Sequence, residues 1–127
     1  MVDPEVQEGS ILLVDDDKDV REFLGQVLLT EGYSVIQASS GHQAWERFVQ
    51  NQDDFDLVIT DIVMPGLLGS DLAARILEIK PFMKFLFISG NAPPKSMLEM
   101  IEGKNFLSKP FKVSELFDAI QHVLTGR

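Results

Sequence analysis

Three aspartates, one serine and one lysine stand where their chemistry could be combined. Asp15 and Asp16 follow the apolar run "ILLV", Asp61 ends "FDLVITD", Ser89 ends "MKFLFIS", and Lys109 ends "KNFLSK". Three carboxylates brought together are costly unless a cation joins them. Lys109 supplies one positive charge against three negatives. The remainder is best met by a hard divalent ion, and Mg²⁺ suits a couple of carboxylates with several retained waters. A Mg²⁺ held that way usually faces a phosphoryl group. Ser89 and Lys109 are the right types to contact phosphoryl oxygens, by hydrogen bond and by charge. A carboxylate can accept such a group as an acyl-phosphate. Asp61 is the candidate acceptor because it stands alone on its strand, while the paired Asp15 and Asp16 read as metal holders.

For these residues to meet, their strands must be neighbours with the same ends together. The punctuation of the chain supports that. "ILLVD" is a short all-apolar run, as expected of a strand buried on both faces. Residues 18–30 carry Val20, Phe23, Leu24, Val27 and Leu28 at helical spacing, and Gly32 follows as a C′ residue. Strands are expected at 33–38, 55–61, 83–89 and 104–109. Helices are expected after "SSG" (39–41), after "MPGLLGS" (64–70) until Pro81, after "APP" (92–94), and over 113–124. The helix after "APP" should run only about two turns. Strand and helix thus alternate five times, which implies a parallel sheet covered by helices on both sides. The predicted class is α/β, a flavodoxin-like doubly wound sheet of five strands in the order 2-1-3-4-5, with five helices. In such sheets a functional site lies off the carboxyl ends of the strands, near the switch in strand order.

Composition narrows the function classes. The chain has 127 residues, is 45% hydrophobic and lacks cysteine, which suits one domain with a real core and excludes disulfides and thiolate metal sites. The net charge of −9 argues against nucleic acid as a partner, since phosphate backbones need clustered Lys and Arg. No apolar run approaches the roughly 20 residues of a membrane span, and no signal peptide is read at the start, so a cytoplasmic protein without membrane insertion is expected. Residues 1–9 read as a flexible lead-in or linker, and 10–127 as the domain.

The segments "ILLVDDD", "DLVITDIVMPGLLG", "LFISG" and "FLSKPF" resemble, in order, the four signatures of two-component response-regulator receiver domains, over about residues 10–125. The resemblance implies that Asp61 is phosphorylated by a histidine kinase or a phosphotransfer domain. It implies that Asp16 and Asp61 ligate Mg²⁺ (or Mn²⁺ in its place) directly, Asp15 through water, and Val63 through its backbone carbonyl. Ser89 would hydrogen-bond the phosphoryl group, Lys109 would pair with it, and Pro110 would follow a cis bond. Ser89 and Phe106 would form the switch, shifting a face made by the fourth helix, fifth strand and last helix, where an output domain or a second copy could dock. "FISGN" followed by a short helix resembles the receivers of hybrid sensor kinases; a stand-alone regulator fits as well. Ser89-Gly90 stands where Thr-Ala is frequent in the family, and Phe106 lacks the hydroxyl of the commoner Tyr. Val63 cannot orient a hydrolytic water, whereas Asn91 could.

Other functions compete for the same residues. Asp15 and Asp16 alone would suit helix-capping acids; Asp17 is the better N-cap, with Asp19 favoured in the first turn by the helix dipole. An EF-hand would need Gly where Val20 stands and Glu where Gln26 stands. A flavodoxin would not present carboxylates to its phosphate. The enzymatic rival is a Mg²⁺-dependent phosphohydrolase with an aspartate nucleophile, which would carry that nucleophile in the first strand. The other rival is a receiver-like module that binds partners without phosphorylation. Gly66 and Gly69 read as turn glycines, Trp45 as packing, and His42 and His122 as isolated surface residues.

Overall fold

The structure, a computed structural model, describes residues 9–97, 99–101 and 105–126. The expected lead-in at 1–9 lies outside the described residues apart from Gly9. Five strands, β1 (Ser10–Val14), β2 (Ser34–Ala38), β3 (Leu57–Asp61), β4 (Phe85–Ser89) and β5 (Phe106–Ser108), pair in parallel in the order β2-β1-β3-β4-β5. The helices are α1 (Lys18–Thr30), α2 (Gly41–Gln50), α3 (Gly69–Ile79) and α4 (Val113–Thr125). The doubly wound, flavodoxin-like architecture is thus the one expected.

Alternation along the strands divides the core in two. Leu12, Val14, Val58, Phe85 and Phe87 face α2 and α3, where they meet Phe48, Leu72 and Ile76. Ile11, Leu13, Leu57, Ile59, Leu86 and Ile88 face α1 and α4, where they meet Leu24, Leu28, Leu116 and Ile120. A sheet with apolar groups on both faces must be covered on both, which is why the central strands read as unbroken hydrophobic runs.

Helix ends follow local chemistry. The Asp17 carboxylate caps α1 by accepting from the Asp19 and Val20 amides at 3.0 and 3.1 Å, and Gly32 supplies a positive φ just beyond its end. Ser40 caps α2 through the Gln43 amide. Pro81 follows the last residues of α3.

The expectation of five helices needs correction. Among the described residues, the connection from β4 to β5 forms one 3-10 turn, Lys95–Met97, in place of a helix of about two turns. Met97 is the only side chain of the turn that is fully buried. One anchoring side chain per turn gives little reason to propagate a helix. A smaller correction concerns α1: Phe23, placed on the apolar face by spacing, is 58% exposed. His122 is half-buried, not on the surface, with its Nδ1 shielded from solvent.

Candidate functional site

Parallel pairing brings the carboxyl ends of β1, β3, β4 and β5 to one edge. Val14 sits beside Thr60, so Asp15 leaves β1 next to Asp61; Asp61 pairs with Ile88, so Ser89 follows; Ser89 pairs with Ser108, so Lys109 follows. One residue of register places each functional group, and a slip would turn its side chain to the wrong face.

Asp15 is almost wholly buried, and all its polar groups are engaged. Its amide donates to the Ala38 carbonyl at 3.2 Å, and its Oδ1 accepts from the Asp17 amide at 2.9 Å. Its Oδ2 takes the Lys109 ammonium at 3.2 Å, and its carbonyl takes an Arg21 guanidinium nitrogen at 2.8 Å. Lys109 Nζ also reaches Asp61 Oδ2 at 3.1 Å, bridging two strands and two acids. Asp16 is exposed at the rim.

Carboxylate oxygens of Asp15, Asp16 and Asp61 lie within 4.8 Å of one another. Three hard oxygen donors at that spacing, against one ammonium, fit a hard divalent cation such as Mg²⁺. The electrostatics agree with a site short of positive charge. Burial pushes the Asp61 carboxyl above the usual range, Lys109 counters this, and the neighbouring Asp15 and Asp16 charges push it up again. Burial alone would lower the Lys109 ammonium, but its bond to Asp61 and the charges of Asp15 and Asp61 outweigh that and raise it. Lys109 therefore stays charged while Asp61 lacks full compensation.

Ser89 is buried; its Oγ accepts from the Asn91 amide at 3.1 Å, which leaves the hydroxyl hydrogen to donate elsewhere. The Lys109 amide donates to the Ser89 carbonyl at 2.8 Å, and the Lys109–Pro110 bond is cis. Val63, two residues beyond Asp61, has an exposed side chain on the β3–α3 connection. Phe106 begins β5 beside Phe87 and packs, half-buried, against the core on the α2–α3 side.

Two residues matter here that the spacing argument did not assign to the site. Gly69, read above as a turn glycine, is the first residue of α3, and its amide donates to the Ile62 carbonyl at 2.9 Å. A Cβ there would stand 2.2 Å from the Asp61 carbonyl oxygen, so α3 can lie against the Asp61 backbone only because the side chain is absent. Glycine as a helical residue, where any side chain would normally be favoured over it, was the one local hint. Arg21, bonded to the Asp15 carbonyl six residues earlier, matches no helical spacing and could not be found from periodicity.

The chain is similar to known proteins in sequence and in fold. A family model described as "Response regulator receiver domain" matches residues 11–121. The response regulator receiver protein CpdR of Brucella abortus is 40% identical over 118 residues, which cover 90% of this chain and 95% of that protein. The sensor kinase CckA of the same organism is 32% identical over 118 residues, but these make up only 12% of its length. Among solved structures, a response regulator receiver domain protein from Clostridium thermocellum superposes with a TM-score of 0.83 at 29% identity, covering 93% of this chain and 95% of that one. The receiver domain of the hybrid histidine kinase CckA gives 0.78 at 29% identity, covering 92% and 100%.

Proposed function

The chain belongs to the response regulator receiver family, the phosphoacceptor signalling domains of two-component systems, and from that premise we propose that Asp61 is its phosphoacceptor. The observation that carries this is the juxtaposition of Asp61 with Asp15, Asp16 and Lys109 at one sheet edge. Asp15, Asp16, Asp61 and the Val63 carbonyl would hold Mg²⁺, or Mn²⁺ in its place; when bound, the ion offsets the charge of the acids and of the incoming phosphoryl oxygens.

The donor is a phosphohistidine of a histidine kinase or phosphotransfer domain. An Asp61 Oδ attacks the phosphorus in line, the P–N bond breaks, and its electron pair leaves with the imidazole nitrogen. The Lys109 ammonium moves from its bridge between Asp15 and Asp61 to a phosphoryl oxygen. The Ser89 hydroxyl donates to another. As Ser89 shifts toward the phosphoryl group, Phe106 changes its seating and biases two populations of the surface around the 3-10 turn, β5 and α4. That surface is where an output domain or a second copy would read the state. Hydrolysis of the acyl-phosphate is slow and is the only turnover catalysed; the Asn91 side chain is of a type that could orient water, and that of Val63 is not. A kinase-coupled acceptor implies a cytoplasmic setting, and no helix among the described residues is long and apolar enough to cross a membrane.

Incubation with Mg²⁺ and acetyl phosphate, followed by intact mass measurement, tests the assignment. The wild type should gain one base-labile phosphoryl adduct and Asp61→Asn none. Equal modification of Asp61→Asn overturns it. Turnover of an added phosphomonoester with no trapped adduct would favour the phosphohydrolase.

A further inference from the structure

Arg21 is surrounded in sequence by acids, with Asp15, Asp16, Asp17, Asp19 and Glu22 all within six residues. Yet the three ion pairs among the described residues use only Lys80 and Lys109 as cations. Its guanidinium instead donates to a neutral acceptor, the Asp15 carbonyl, at 2.8 Å in a half-buried position. Its backbone is fixed independently, since the Arg21 amide donates to the Asp17 carbonyl at 2.9 Å in the first turn of α1.

The peptide unit is planar, so the Asp15 carbonyl and the Asp16 amide move as one plate. The amino-side neighbour of that plate is already held, because the Asp15 amide and carboxylate are both bonded. Pinning the carbonyl removes the remaining rotation, and with it the freedom of Asp16 to depart in another direction. Asp16 is exposed, so burial does not fix its place. We propose that Arg21 is a positioning residue that locks the Asp15–Asp16 peptide plane and so sets the affinity of the acid cluster for its divalent cation. The inference rests on the metal reading of the cluster given above.

The sign of the effect separates positioning from charge. A guanidinium is permanently positive, so as a charge alone it repels Mg²⁺, and removing it should tighten metal binding. As a positioning residue, its loss should weaken binding, by about tenfold if it behaves like other groups that orient metal ligands from outside. The experiment is calorimetric titration of Mg²⁺, repeated with Mn²⁺, into wild type, Arg21→Gln and Arg21→Lys. Circular dichroism checks that each variant is folded. Arg21→Gln should bind the ion about tenfold more weakly, and Arg21→Lys, which keeps a donor of nearly the same reach, should fall between it and wild type. Unchanged or tighter binding by folded Arg21→Gln overturns the proposal. If Arg21→Gln does not fold, Arg21→Met, which keeps the apolar stem without a donor, decides: weaker binding supports positioning, and unchanged or tighter binding overturns it. A wild type that binds neither ion removes the metal reading itself, which is a different failure.

Discussion

Two connections leave the same edge of the sheet from adjacent strands, and they are built differently. The β3–α3 connection buries Ile62, Met64 and Leu67, and ends with Gly69 against the Asp61 carbonyl. The β4–β5 connection is longer, carries its 3-10 turn, and among its described residues fully buries only Met97, with Met100 and Ile101 partly covered. The first holds the backbone of Asp61, the proposed acceptor. The second hangs from one deep anchor beyond Ser89. A site needs its reacting carboxylate fixed, whereas a segment that reports its state must have somewhere else to go. Damage to the first connection should therefore reach the metal site, and damage to the second should not.

Gly69→Ala should have the largest effect. The new methyl would meet main-chain atoms, the Asp61 oxygen at 2.2 Å and the Ile62 Cα at 3.0 Å, neither of which can rotate away. A cost of about 3 kcal/mol is expected, at the upper end for overpacking because backbone must move. Urea denaturation measures it. Mg²⁺ affinity should fall as well, since the shift is transmitted to Asp61. A variant that loses stability but binds the ion as before would show that α3 does not brace the acceptor.

Met97→Ala tests the other side. Met97 is 0% exposed, and truncating a buried methionine costs about 2–3 kcal/mol through lost contacts and a residual cavity. Stability should drop while Mg²⁺ affinity stays within twofold of wild type. Equal losses of affinity in Gly69→Ala and Met97→Ala would erase the distinction between the two connections.

The same contrast explains which features are legible in the sequence. The bounds of α1 were legible because three local signals agree there: the Asp17 cap, the apolar spacing from Val20 to Leu28, and Gly32. The meeting of Asp15, Asp61, Ser89 and Lys109 at one edge was legible because each ends or directly follows a strand, and parallel pairing does the rest. Strand starts were less clear: Tyr33, Phe55 and Met83 extend the apolar runs, but they pack as loop residues before the ladder begins. The β4–β5 connection misled because "APP" (92–94) suits the first turn of a helix and the alternation of strand and helix calls for one there, although no helix of two turns forms among the described residues. Gly69 and Arg21 were missed for a different reason. Their roles are approaches to main-chain oxygens, and no pattern of side-chain types records where a carbonyl will be.

The smallest effect concerns the charge of Asp61 itself and separates function from stability at the braced site. Burial raises the Asp61 carboxyl, and Asp15 and Asp16 add to this against the pull of Lys109. A raised carboxyl binds its proton more tightly in the folded chain than in the unfolded one. Its contribution to stability is thus complete in acid, below the ordinary carboxylate value, and is lost as pH rises through the folded value. Near neutrality the ionised Asp61 is a net burden on the metal-free fold. Asp61→Asn cannot ionise and can still face Lys109, which keeps Asp15 as a partner. With chelator present at pH 7, the variant should melt about 2 °C above wild type, a solvent-screened effect well under 1 kcal/mol. The gap should close as the pH is lowered below about 4, where the wild-type carboxyl is protonated in both states. Saturating Mg²⁺ should reverse the order, because the ion stabilises the form that binds it more tightly. Thermal melts across pH, with and without Mg²⁺, read all three. If Asp61→Asn melts lower than wild type in chelator at neutral pH, then Lys109 compensates Asp61 fully, and the acceptor is held by its charge pair as well as by the packing beneath it.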